Sequence, residues 1–211
     1  MARFAFPLVL GAILLASCAT LSEGECQYSD WELVGEQDGI NGAPLSKFQS
    51  YVKQCARYDL AVNSEAWRRG HQKGLETFCT PAGVYNAGLK GQGDAALCGF
   101  EPDLLRIHRA AVRFRQADQR FDEARFEFDN LFERRRFVRR EIDRLRYALR
   151  KKDLSREQRA RINRDLDEAF ASLDHLERRE YQLRFLLVDY ERAAGIAEDE
   201  LRQIEFEFGL R

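Results

Sequence analysis

The chain has 211 residues, with 34 basic and 35 acidic side chains and a net charge of −1. Of its 28 arginines, 24 follow residue 100, interleaved there with a similar number of acids. Nucleic-acid binding needs clustered, unbalanced positive charge, so this balance argues against nucleic acid as a partner. Five cysteines make an odd set, awkward for an exported protein unless one of them has a separate role.

The first 17 residues read as a signal peptide. Arg3 and the amino terminus supply positive charge, Phe4 to Leu15 form an apolar run broken only by Pro7 and Gly11, and small residues follow. The run is shorter than the ~20 residues a membrane-spanning helix requires. Leu15-Ala16-Ser17-Cys18 resembles the lipobox of bacterial lipoproteins. That resemblance implies a lipid on the Cys18 sulfur, cleavage before it, and an acylated new amino terminus. Ala19 after the lipid cysteine, rather than Asp, implies sorting to the outer membrane, with the protein held on its periplasmic side by the lipid. Residues 18–25 then form a lipidated linker.

Assigning Cys18 to lipid leaves Cys26, Cys55, Cys79 and Cys98, an even set in an oxidising compartment. Metal-ligand cysteines come as close pairs, which these are not, so two disulfides are expected and no metal. Three pairings are open to four cysteines; Cys26–Cys55 with Cys79–Cys98 is preferred because it closes the shorter loops.

Composition changes near residue 100. Ten of the fourteen glycines lie between Gly35 and Gly99, and the four remaining cysteines lie between Cys26 and Cys98, while no proline follows Pro102. A disulfide-stapled, glycine-rich helical module is expected over 26–99. Within it an aromatic-then-glycine pattern recurs: Trp31 with Gly35, Gly39 and Gly42; Trp67 with Gly70 and Gly74; Tyr85 with Gly88 and Gly91. At spacings of three and four these residues share a helix face. A mid-helix glycine costs about 1 kcal/mol against alanine, so several on one face predict close backbone packing. Gly42, before Ala43-Pro44, and Gly83, after Pro81, are read instead as helix ends or turns. Asp38, Asn41, His71 and Asn86 are candidates to line a small pocket, but solvated or capping roles are the expectation.

Trp31, Gly35, Asp38, Gly39, Gly42, Cys55, the run from Trp67 through Gly70 and Gly74 to Cys79-Thr80-Pro81, then Tyr85, Gly88, Gly91 and Cys98 together resemble one family. It is a proteobacterial lipoprotein family catalogued only as a domain of unknown function, DUF2799. The resemblance covers about residues 26–99. It implies a cell-envelope lipoprotein and no particular activity.

From about Asp103 the apolar residues adopt a 3,4 spacing. One register runs from Ile107 to Leu149 with Arg135 as its only polar member, and a second from Ile162 to Phe208 with Glu180 as the exception. Heptads sustained this long predict a coiled coil over 100–211. Ser155 and Gln158 form a capping box that starts the second helix after a short turn, so the two helices are antiparallel, each roughly 70 Å long. Pairing across the turn sets Leu145 near Ile162 and Leu131 near Leu176. Arg135 is then expected opposite Leu173 and Glu180 opposite Phe128, each snorkelling to the seam edge with no ion pair between them. Phe126, Phe137, Tyr147, Phe170, Tyr181, Phe185 and Phe206 fall outside the seam, predicting burial against the module, a second copy or a partner protein.

The fold class expected is therefore all-α: a small disulfide-stapled module followed by a long antiparallel coiled-coil hairpin. The function expected is structural or adaptor-like: a lipid-anchored envelope protein whose hairpin contacts an envelope protein partner or forms a homo-oligomer. A small-ligand or glycan-binding module is the alternative, and an envelope hydrolase the weaker one. His71, His108 and His175 are scattered, no nucleophile motif is present, and no cofactor is expected.

Overall fold

The computed structural model describes residues 21–210. The signal peptide, Cys18 and the first residues of the linker lie outside this range. Every described element is a helix. Local chemistry explains where they start. Ser22 and Glu25 form a capping box on α1 (Glu23–Tyr28), and the Asp30 carboxylate accepts two backbone N–H groups at the start of α2 (Trp31–Ile40). After α3 (Ser46–Cys55) and a short 3-10 turn, Asn63 caps α4 (Ser64–Phe78). Thr80 caps α5 (Pro81–Leu89), which carries proline in its first turn. Gly83 lies inside that turn, its N–H donating to the Thr80 hydroxyl at 3.0 Å, so it opens a helix rather than ending one. Gly42, by contrast, sits at φ 63°, the left-handed region a turn requires.

Two disulfides staple the module, Cys26–Cys55 and Cys79–Cys98. The first closes a small core in which Trp31, Trp67 and both its cysteines are buried under Phe48, Tyr51 and Val62. The second ties the end of α4 to a 3-10 turn, Ala95–Cys98, immediately before the hairpin. A second core lies beside it, built from Phe78, Val84, Ala87 and Ala95 of the module together with Ile107, Ala110, Ala111, Leu201 and Ile204. The change of composition at residue 100 therefore marks a change from short helices to long ones, while the packing runs straight across it.

The hairpin consists of α6 (Pro102–Leu149) and α7 (Arg156–Phe208), 48 and 53 residues long. At 1.5 Å per residue these are rods of about 72 and 80 Å. The Ser155–Gln158 capping box starts α7. Every member of both 3,4 registers, from Ile107 to Leu149 and from Ile162 to Phe208, is buried or half-buried.

One expectation at the seam is overturned. Arg135 does not end opposite Leu173 with Glu180 left to snorkel: the Arg135 guanidinium donates to Glu180 Oε2, and Arg184 Nη2 donates to Oε1 at 2.8 Å. A seam residue in an antiparallel pair sits between two partners one heptad apart, and the arginine turns to the acidic one. The reason lies with Glu180, which is only 5% exposed. A carboxylate buried that deeply needs compensating charged donors, and two arginines supply them.

Candidate functional site

The aromatic–glycine residues assemble into a helix crossing. Gly35 and Gly39 on α2 meet Gly70 and Gly74 on α4, and the two helices run in the same direction. A Cβ on Gly35 would lie 2.0 Å from the Trp67 carbonyl oxygen, and one on Gly70 would lie 1.8 Å from that of Glu32. Gly39 and Gly74 stand in the same relation to His71 and Glu36, at 2.2 and 2.1 Å. Only hydrogen fits at these four positions, so backbone rests on backbone. Gly88 does the same work between α5 and α6, against Ala111 and the His108 carbonyl, and Gly91 adopts φ 66° in the turn that follows.

Asp38 locks this crossing. Its carboxylate accepts the Trp67 indole N–H at 2.9 Å and the Tyr51 hydroxyl at 3.1 Å, joining α2 to α4 and α3. Burial and the Asp38 carboxylate push the Tyr51 hydroxyl well above the ordinary tyrosine range. The Trp67 ring stacks on buried His71, with centroids 4.6 Å apart, and His71 Nε2 donates to the Ala43 carbonyl at 2.7 Å. Asp38 and His71 are thus internal clamps rather than solvated or capping groups. Asn41 is a cap, its side-chain amide donating to the Gln37 carbonyl at 2.8 Å. Asn41 and exposed Asn86 do border a cleft with Thr77 and Lys90, but its volume is about 170 Å³. Ligand pockets typically run from about 300 to 1,000 Å³. A furrow of about 340 Å³ also lies between α6 and α7, where Ala117 and Ala197 leave the seam thinly covered.

The histidines stay apart: His108 is held to the Gln92 carbonyl at 2.9 Å and His175 is exposed on α7. Among the described residues no group of His, Cys, Asp and Glu could hold a metal ion, and no helix is long and apolar enough to cross a membrane.

Tyr85 links the module to the C-terminal end of α7 at the hairpin's base, its hydroxyl donating to the buried carboxylate of Glu205. Ion pairs lace the flanks of the seam. Arg179 grips Glu127 through two hydrogen bonds of 2.7 and 2.9 Å, which hold that carboxyl below its ordinary range. Arg139 pairs with Glu177 at 2.8 Å, and Arg113 pairs with Glu200.

Outside the seam, Phe126, Phe137, Tyr147, Phe170, Tyr181, Phe185 and Phe206 are all exposed. The module covers none of them, Phe206 included, although Phe206 lies at the base on which the module packs.

Folding back the chain also separates charge that composition averages away. From Arg134 to Arg164, which takes in the last third of α6, the turn and the first turns of α7, there are fourteen basic and four acidic side chains. From Asp165 to Glu207 there are five basic and thirteen acidic. The hairpin is positive at its tip and negative toward its base. The signal was present in the order of the residues; counting charge over the whole helical region hid it.

Residues 30–112 match the family described as "Protein of unknown function (DUF2799)", which covers the module from α2 onward and the first turns of α6. The resemblance of the module to this domain of unknown function is thereby shown over residues 30–112. The match runs past residue 99 to take in Ile107, Ala110 and Ala111, the residues of α6 that complete the second core. Comparison with curated proteins and with solved structures gave no match.

Proposed function

We propose, with that family match as the premise, that this is a lipid-anchored protein of the bacterial cell envelope whose hairpin serves a structural or adaptor role. The observation that carries the reading is the hairpin itself, a stiff two-helix arm fixed to a stapled module through a shared core and lined with exposed aromatic side chains. Such an arm binds and spaces other proteins; aromatic side chains are the anchors on which protein interfaces most depend. The lipid part of the proposal rests on Leu15-Ala16-Ser17-Cys18 at the end of an apolar run. Leu21 is already packed against the first core, its N–H donating to Gln54 Oε1 at 2.8 Å, so lipid at Cys18 would hold the module close to the bilayer.

The test is metabolic labelling with a palmitate analogue in bacteria expressing the full chain and its Cys18→Ala variant. The expected result is label and membrane association for the parent and neither label nor tight membrane association for the variant. A variant that keeps the label, or a parent that never acquires it, overturns the lipid assignment. Crosslinking in intact cells then tests the adaptor role: aromatic positions of the hairpin should capture protein, and capture confined to the module would overturn it.

A further inference from the structure

We infer that the outer face of α7 is a docking surface for a second copy of this chain, the two α7 helices lying side by side and antiparallel with each α6 on the far side of its own α7. This deepens the interaction role proposed above and rests on it. The outer face of α7 carries a second stripe with the same alternating spacing of four and three as the seam, running from Ala160 to Phe206. All its members are exposed, and Phe206, at 92%, is the most exposed large apolar side chain among the described residues. Nothing within the described chain covers it.

The stripe is self-complementary under a two-fold axis near its centre. That axis sets Tyr181 against Phe185 of the second copy and Phe185 against its Tyr181, placing two aromatic pairs at the middle. It sets Asp174 against Arg192 and brings Arg178 to Asp189, again twice each. Small residues meet small residues at Ala171 and Gly195, and Phe206 meets Ala160. Toward the ends Arg164 comes level with Arg202 and Asp167 with Asp199. Each of these has an opposite charge one turn away, Arg164 with Asp199 and Asp167 with Arg202. These charges are exposed, and Asp174–Arg178 and Asp189–Arg192 satisfy one another only within their own helix.

The long-range charge agrees with the local pattern. Antiparallel stacking lays the basic tip of one hairpin along the acidic stretch of the other, whereas parallel stacking would set tip on tip and base on base. Gly195 adds a separate observation: it lies mid-helix with no atom within 4 Å of where its Cβ would be, so nothing inside the described chain explains a glycine there.

The experiment measures the mass of the full chain in neutral detergent by light scattering and sedimentation. Two charge variants accompany it, Asp174→Arg with Asp189→Arg and Arg178→Asp with Arg192→Asp. The parent is expected to be a dimer whose Kd weakens at least tenfold between low and high salt. Each variant alone, with like charges facing across the axis, should be monomeric at concentrations where the parent is dimeric, while an equimolar mixture of the two should form a mixed dimer. Circular dichroism must show unchanged helicity, which is expected because every altered side chain is exposed. A monomeric parent overturns the inference, as does a variant that dimerises like the parent or a mixture that stays monomeric. Binding of a monomeric parent to phosphatidylglycerol vesicles through its basic tip would replace the second copy with a lipid surface. A monomer in detergent leaves capture of other envelope proteins in cells untouched, so failure of this inference is distinguishable from failure of the adaptor reading.

Discussion

Glu180 shows how much one side chain can impose. It is buried in the middle of the seam with Arg135 and Arg184 both donating to it. A buried carboxylate stripped of its partners is costly, whereas an apolar pair of similar volume often does as well as the ion pair or better. Arg135→Leu alone should therefore destabilise the hairpin by about 3 kcal/mol. Adding Glu180→Leu should recover most of that loss, and urea denaturation of the single and double variants measures both. What the double variant gives up is register. A continuous apolar seam can slide by a heptad, and a lone polar pair is a known device for preventing it. A double variant less stable than Arg135→Leu would show that Glu180 has a role beyond neutralising the arginine.

At the scale of elements, the glycines of the helix crossings contrast with Gly195: neighbouring backbone demands the former, and nothing in the described chain demands the latter. Gly70→Ala would press a methyl group to 1.8 Å from the Glu32 carbonyl oxygen, the shortest such approach among the described glycines. It should cost about 3 kcal/mol as α2 and α4 are forced apart. Gly195→Ala meets open space within its own chain and should stabilise α7 of the monomer by up to ~1 kcal/mol, measured at concentrations below dimerisation. Thermal melts of the two variants should move in opposite directions. Much of this level was legible in the sequence. The 3,4 spacing identified both long helices and every seam position, the Ser155–Gln158 box located the turn, and paired aromatic–glycine spacing predicted close backbone packing. Three things were not legible. Periodicity says which face is inward but leaves the reach of a long side chain undetermined, so Arg135 was set against Leu173. Asp38 and His71 look like any surface polar residue until Trp67, Tyr51 and the Ala43 carbonyl are brought to them by tertiary folding. Gly83 was read as a terminator because Pro81-Ala82-Gly83 suits a turn as well as a helix start, and Thr80 as its cap decided the matter.

The molecule as a whole is held together at one place, where α5 and the base of the hairpin share the core around Phe78 and Val84. Ending the chain after Glu200 would remove Leu201, Ile204 and Glu205 while sparing all four disulfide cysteines. Loss of two buried aliphatic side chains alone costs about 4 kcal/mol or more. The shortened protein should therefore lose its module's cooperative melting along with the base of the arm, read by tryptophan fluorescence for Trp67 and by circular dichroism for the helices. A module that melts unchanged would mean that the two cores are independent. The bond between Tyr85 and Glu205 spans 120 residues of sequence, and that separation has a consequence in time. A ribosome delivers Phe78 and Val84 long before Leu201 and Ile204, so this core must wait, half-built, for nearly the whole polypeptide. The first core, closed by Cys26–Cys55, draws on residues no later than Trp67 and so leaves the ribosome early. If the chain is exported thread-like through a membrane, the late closure of the second core keeps most of it extended until the last turns of α7 have passed. Completion of the fold then reports that transit is finished.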